Sequence, residues 1–162
     1  MASEFHGLIT SLAEFQEALH RAFAEAAAVG CRELWLCDTN FAGWPLGERI
    51  VVEHLIQWAG SQRRLTVLAT TFDEVVRRHA RWVEWRRQWS HVVHCRTRSD
   101  LETGRMPSLL LAPGLISVRL YGGVPSRGRW SRDASDEASC RELIDAVLQR
   151  SEDAYPVTVT GL

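Results

Sequence analysis

The chain has 162 residues, with 19 basic residues against 20 acids and a formal net charge of -1. That length fits one domain, residues 1–162, able to bury roughly two-thirds of its unfolded surface without staples, and the balance of charge gives the whole molecule no bias toward polyanions. Every basic residue is arginine, and the absence of lysine excludes Schiff-base chemistry, Walker-type phosphate binding and any catalytic ammonium.

No apolar run approaches the ~20 residues that a bilayer span needs, so no membrane partner is expected. The opening MASEFHGLIT lacks a basic start and carries an early Glu4, so no secretory signal is expected and the reading is cytoplasmic. Cys31, Cys37, Cys95 and Cys140 show no C-x-x-C spacing. They read as reduced, mostly buried thiols, with no metal and no cofactor.

In chain order, Phe5–Thr10 reads as a short edge strand. Ser11-x-x-Glu14 is a capping box that opens a helix running to Val29, with Phe15, Leu19, Ala22, Phe23 and Ala26 on its core face. Leu34–Cys37 is an apolar strand, covered on both sides, that stops on Asp38. The turn-rich Thr39–Gly43 follows, and Pro45 begins a helix to Ala59 whose buried stripe is Ile50, Val51, Leu55 and Trp58. A strand that runs through a loop into a helix N-terminus is where open α/β sheets place ligands, which makes Asp38 and Asn40 candidate ligand-binding residues. The competing reading is that Asp38 caps a turn and Trp44 packs beneath the helix.

Leu65–Ala69 is a second buried strand. Two strand–helix units in succession imply parallel pairing. Thr71-x-x-Glu74 is a second capping box, opening a helical stretch to Trp89. On one unbroken helix Val75, Trp82, Trp85 and Trp89 share an arc, and Arg78 and Arg86 fall inside it; a break at His79-Ala80 would rotate the halves apart. A guanidinium inside that arc must snorkel outward or find a carboxylate or bound anion. Asp38 is the partner to expect.

His91–Cys95 reads as a third strand with His91 and Cys95 on one face, followed by a polar loop over Thr97–Met106. Ser108–Ala112 and Leu115–Tyr121 read as a hairpin joined at Pro113-Gly114. Gly122–Arg132 reads as a mobile loop, Asp133–Arg150 as a helix, and Ala154–Leu162 as a short strand at the end. The fold class is therefore α/β, a mixed and mostly parallel sheet with helices on both faces.

This order of elements, ending with MPSLLLAPGLISVRLYGG, resembles one half of the phospholipase D fold. In that superfamily a His-x-Lys strand supplies the phosphoryl nucleophile and the phosphate-holding cation, and an Asp-Gly turn follows. Matched position by position, Met106 stands at the histidine, Ser108 at the lysine and Pro113 at the aspartate; Gly114 persists. Three further runs are similar to a bacterial family of unknown function: Asp38, Phe41, Trp44, Pro45, Leu46; Trp85, Arg86, Arg87, Trp89, His91; and Ser151, Glu152, Pro156, Val157, Thr158, Gly161, Leu162. Members of that family occur alone or behind acetyltransferase domains. The resemblance implies a homodimer, an acetyltransferase partner and a scaffold without its catalytic side chains, a pseudoenzyme.

Three functions follow as expectations. The leading one is a non-catalytic phospholipase D-like binding or assembly module. The second is an enzyme, a hydrolase or acyltransferase-associated, with a relocated site built from Asp38, Asn40, Arg78, Arg86 and His91, with Ser90 and Thr39 as nucleophiles by proximity in sequence. The third is binding of nucleic acid or another anion by the segment 77–98, where seven arginines face the single acid Glu84. It is not favoured, since the tryptophans fit a core stripe and a charge run is ordinarily a solvated face.

Overall fold

The computed structural model describes residues 5–60, 62–101, 105–122 and 126–155. Its elements run β1 (His6–Ile9), α1 (Leu12–Val29), β2 (Glu33–Asp38), α2 (Arg49–Trp58), β3 (Arg64–Ala69), α3 (Asp73–Arg78), α4 (Ala80–Gln88), β4 (Val93–Thr97), β5 (Ser108–Ala112), β6 (Ile116–Gly122), β7 (Arg127–Ser131), α5 (Ala134–Leu148) and β8 (Glu152–Asp153). The strands form one eight-stranded sheet in the order β1-β7-β6-β5-β2-β3-β4-β8.

Alternation along the central strands sorts the core into two layers. Leu34 and Leu36 of β2, Leu65 and Val67 of β3, and Leu110 and Ala112 of β5 face one side, where they meet α1, α2, α3 and α4 through Phe15, Leu19, Leu55, Trp58, Val75 and Trp82. Cys37, Leu68, Leu109 and Leu111 face the other, where α5 covers them with Cys140, Ile144 and Val147. The α/β class and the helices on both faces are as the sequence leads one to expect. The proportion of parallel pairing is not: only β2–β3 and β3–β4 run parallel, and the other five pairings are antiparallel. The antiparallel share grows because the chain returns through β5 beside β2 and then extends the sheet outward by hairpins rather than by crossovers.

Local signals succeed where their partners lie close in sequence. The Ser11 side chain accepts the Glu14 N–H at 3.1 Å, as a capping box requires. The Ala112-Pro113-Gly114-Leu115 turn closes through a Leu115 N–H to Ala112 carbonyl bond of 3.0 Å, with Gly114 at φ 77°, the left-handed position of a type II turn.

Several expectations are corrected. The second helix begins at Arg49, not Pro45, because Pro45 opens a turn in which the Glu48 N–H reaches the Pro45 carbonyl. Ile50 is then turned outward and 48 % exposed, leaving Val51, Val52, Leu55 and Trp58 as the buried stripe. Thr71 stands one residue ahead of the N-cap: α3 begins at Asp73 with Phe72 at its N-cap, and the Thr71 hydroxyl accepts the Asp73 N–H at 3.3 Å. The stretch to Trp89 is two helices, broken at His79 (φ -121°, ψ 56°). Strand β4 begins at Val93, so His91 lies in the turn before it. The loop expected over Gly122–Arg132 contains β7, paired between β1 and β6. The last strand is Glu152–Asp153, ahead of the expected Ala154–Leu162, of which residues 156–162 lie outside the described ones.

Cys37, Cys95 and Cys140 are buried and Cys31 is half-buried; all four thiols are free. Burial pushes every one of them up, Cys95 to about 11, so little thiolate exists at neutral pH. A thiol reagent applied to the native protein at neutral pH should therefore modify at most Cys31, and all four should react once urea unfolds the chain. Fast native reaction of more than one thiol, counted by mass spectrometry, would contradict the packing of the sheet.

Candidate functional site

The loop after β2 is built around two side chains. Asp38 ends the strand with one carboxylate oxygen accepting the backbone N–H groups of Asn40 (3.1 Å) and Phe41 (2.7 Å), while its other oxygen accepts the hydroxyl of Ser108 from β5. Ser108 stands one step beyond the Cys37–Leu109 pair of the antiparallel β2–β5 ladder, which is why the two side chains meet. Asn40 accepts the Ala42 N–H at 2.9 Å. Phe41 takes a left-handed φ of 62° and is fully buried, with Trp44 edge-on to its ring at 4.8 Å.

His79 closes the loop from the break between α3 and α4. The Gly47 N–H donates to its Nδ1 at 3.1 Å, and its Nε2–H donates to the Phe41 carbonyl at 2.8 Å. A carbonyl only accepts, so the neutral Nε2–H tautomer is fixed. The approach is close enough that a Cβ on Gly47 would lie 2.9 Å from the His79 Cα.

The five residues singled out by sequence stand in different places. Asp38 and Asn40 share this loop, but the groups they bond belong to the loop itself and to β5. Arg78 turns outward and pairs with Glu74 at 2.6 Å, and that bond holds the Glu74 carboxyl below the usual range. Arg86 is 5 % exposed; it donates to the Tyr155 carbonyl and lies 4.0 Å from the centre of the Tyr155 ring, with no carboxylate beside it among the described residues. His91 is exposed against Trp89, ring centres 5.6 Å apart. Neither arginine reaches Asp38.

The other arginines of segment 77–98 are also engaged. Arg77 pairs with Glu74, Arg87 with Glu84, Arg96 with Asp153 and Ser151, and Arg98 with Asp100, while Arg81 donates to the Gly47 carbonyl. Most of the charge concentrated in that stretch of sequence is balanced within a few ångströms.

A hollow of about 290 Å³ opens at the carboxyl end of β2, between β5, β6 and α5. Thr39, Met106, Ser108, Arg119, Tyr121 and Arg105 line it, with Pro107, Leu120 and Leu143 as apolar wall. Arg119 pairs with Leu109 in the β5–β6 ladder, and strand alternation places it with Ser117 and Tyr121 on the α5 side. Its guanidinium lies 4.8 Å from the Tyr121 ring centre, and its charge is felt at Cys140 of α5, where it opposes the rise that burial imposes. No acid occurs among the described residues of the lining, and Arg119 has no acidic partner among the described residues.

Met106 is 4 % exposed, with its sulfur 3.4 Å from the Cys37 thiol. Among the described residues no histidine and no cysteine line the hollow. Among the described residues no group of three or more His, Cys, Asp or Glu is placed to hold a metal ion. Sequence reading passed over Arg119 and Tyr121, although an arginine inside the otherwise apolar run ISVRLYG was a visible signal.

No protein family and no curated protein matches the sequence. Solved structures resemble the fold, two among them as follows. The archaeal chromatin protein TrmBL2, whose structure is described as showing a novel mode of DNA binding, superposes with a TM-score of 0.66 at 11 % identity over 93 % of this chain. The chain spans about half of that protein's length, 54 %. NucT from Helicobacter pylori superposes with a TM-score of 0.55 at 6 % identity, covering 92 % of this chain and 98 % of that one. At such identities the likeness is one of fold alone.

Replacing Asp38 by Ala should strand two loop N–H groups and the Ser108 hydroxyl, lowering the unfolding free energy by roughly 2–3 kcal/mol. Urea denaturation measures it. A loss below about 0.5 kcal/mol, the level of a neutral surface change, would show that the loop does not depend on this carboxylate.

Proposed function

We propose that this chain is a non-catalytic phospholipase D-like module that binds a ligand at the carboxyl end of β2 without cleaving it. The observation that carries the reading is the state of the two strand positions where the family resemblance puts the nucleophile and the phosphate-holding cation. Met106 is buried against Cys37, and Ser108 spends its hydroxyl hydrogen on Asp38. Neither group attacks phosphorus: a thioether forms no useful phosphoryl intermediate, and Ser108 has no adjacent base other than a carboxylate already holding two N–H groups.

The alternative of a relocated enzyme site needs Asp38, Asn40, Arg78, Arg86 and His91 to act on one substrate. Their separate engagements, Arg78 with Glu74 and Arg86 with Tyr155 above all, count against it. The nucleic-acid alternative gains from the fold likeness to TrmBL2, described as showing a novel mode of DNA binding, while the balanced charges of segment 77–98 argue against that segment as the contact surface. A homodimer and an acetyltransferase partner stay as proposals from the family resemblance.

The purified chain incubated with bis(para-nitrophenyl) phosphate and with plasmid DNA should release no product above buffer, with and without added divalent cations. Turnover that scales with protein concentration and tracks the chain through a second purification step would overturn the reading.

A further inference from the structure

The outer edge of β4 is covered by the last described residues of the chain, and the way they are held outlines a site. Strand β8 contributes only Glu152 and Asp153, antiparallel to Thr97 and Arg96, and the Ala154 N–H extends the pairing to the Cys95 carbonyl at 3.0 Å. Arg96 bonds the Asp153 carboxylate at 2.6 Å and takes both the hydroxyl and the carbonyl of Ser151. Tyr155 then lays its ring against two side chains of the helical layer. Phe72, the N-cap residue of α3, stacks on it with ring centres 5.5 Å apart and planes 18° apart. Arg86 of α4 lies 4.0 Å from the ring centre and donates to the Tyr155 carbonyl. A strand edge, a cation and an aromatic face thus converge on one seat, and none of them belongs to the segment that fills it.

That segment is held as an edge piece. Two paired residues make it the shortest of the described strands, and such an edge opens without the rest of the sheet. Asp153 is 95 % exposed, so water and salt weaken its bond to Arg96. Tyr155 takes a φ of 46°, a left-handed backbone that a bulky residue otherwise avoids, and that strain favours release. Beneath it the buried Nε of Arg86 bonds nothing among the described residues, so the guanidinium keeps a donor in reserve.

We propose that this seat recognises an extended peptide of the pattern acidic, any, aromatic, which adds a strand to β4 in place of the chain's own Asp153-Ala154-Tyr155. The site is separate from the one at the carboxyl end of β2 and does not depend on it. Its ligand class is given by what fills it now: an acid for Arg96, a backbone N–H for the Cys95 carbonyl, and a ring for Phe72 and Arg86. Main-chain pairing supplies affinity, and the acid and ring positions supply preference. The resident segment is then a cover. It is tied to α5 through a link of three residues, 149–151, and competes with an incoming peptide at an effective concentration on the order of millimolar.

The probe is a fluorescein-labelled peptide with the sequence of residues 151–155, Ser-Glu-Asp-Ala-Tyr, and an amidated end, followed by anisotropy as the full-length chain is added. The double variant Asp153→Ala with Tyr155→Ala frees both side-chain anchors of the cover. It should bind the probe about tenfold more tightly than the native chain, or better, as expected for a cover closed more than about nine-tenths of the time. Adding Phe72→Ala or Arg96→Gln to that variant should cost about tenfold, and so should alanine in place of the peptide's tyrosine. Circular dichroism of each variant guards against loss of fold. In the native chain, hydrogen exchange should find the Ala154 amide at least about tenfold faster than the Val67 amide of β3, the mark of a segment that opens alone.

No saturable binding by the double variant with its fold intact overturns the site. Equal binding by the native chain and the double variant overturns the cover. A tyrosine-free peptide that binds as well as the probe overturns the ligand class. An Ala154 amide as slow as that of Val67 makes β8 a permanent part of the sheet and overturns the displacement. A native dimer that Tyr155→Ala dissolves overturns the peptide partner in favour of exchange of this segment between two copies of the chain.

Discussion

The carboxylate of Asp38 is the constraint from which the architecture around the hollow follows. It accepts two backbone N–H groups from its own loop and one hydroxyl from β5, so a single side chain ends β2, folds the loop and fixes the neighbouring strand. A partly buried charge is tolerated only when its lone pairs are filled, and here three donors converge on it. The same bonds hold Phe41 in a left-handed backbone that a bulky residue otherwise avoids, at a cost on the order of 1–3 kcal/mol. Burial of its ring against Trp44 and the His79 bond to its carbonyl offset that cost. A polar group at the end of a central strand reads as a ligand site, but one whose acceptor capacity faces inward serves the fold.

His79 decides what the arginine-rich segment can be. By turning its ring inward to Phe41 and Gly47 it interrupts the helical ladder between α3 and α4, and the two halves rotate relative to one another. Trp82 and Trp85 keep their places in the core, whereas Arg78 leaves the arc that an unbroken helix assigns it and swings to Glu74. Arg86 stays buried and finds an aromatic face and a carbonyl in place of an acid. The contact is a cation on a π face, and the planar guanidinium can lie on the ring while an N–H reaches the Tyr155 carbonyl.

These cases mark how far the sequence could be read. Periodicity and caps located the helix after Ser11, the central strands and the Pro113-Gly114 turn, because each is specified by residues a few positions apart. The α/β class followed from their order. Three things were hidden. The share of antiparallel pairing depends on which strand β5 joins, a choice made by long-range packing. Strand β7, RGRWS, has little apolar content and is ordered by pairing on both sides, with Gly128 so near the Arg119 carbonyl that a Cβ there would lie 2.1 Å from it. The break at His79 is set by a bond to Gly47, thirty-two residues away in sequence. For the candidate site, Asp38 and Asn40 were visible as polar groups ending a strand and a turn capped by Asp38 was one of the two readings, but its Ser108 partner was not visible, and Arg119 was lost in an apolar run.

Charge economy ties the proposed site to the fold. Most acids adjoining the arginine-rich segment are spent within it, Glu74 on Arg77 and Arg78, Glu84 on Arg87, Asp100 on Arg98, so its local surplus of positive charge projects little field. Arg119 sits on the opposite layer, where α5 brings its Asp136 to Arg129 rather than to Arg119. An isolated guanidinium beside an aromatic ring stabilises a bound anion in its ground state. It does not provide an atom to form a bond to phosphorus or a proton acceptor for an attacking water. Interactions that favour ligand and transition state equally give affinity without rate. A lining of arginine, hydroxyl and thioether groups at the carboxyl end of β2 supplies hydrogen-bonding groups beside an apolar wall.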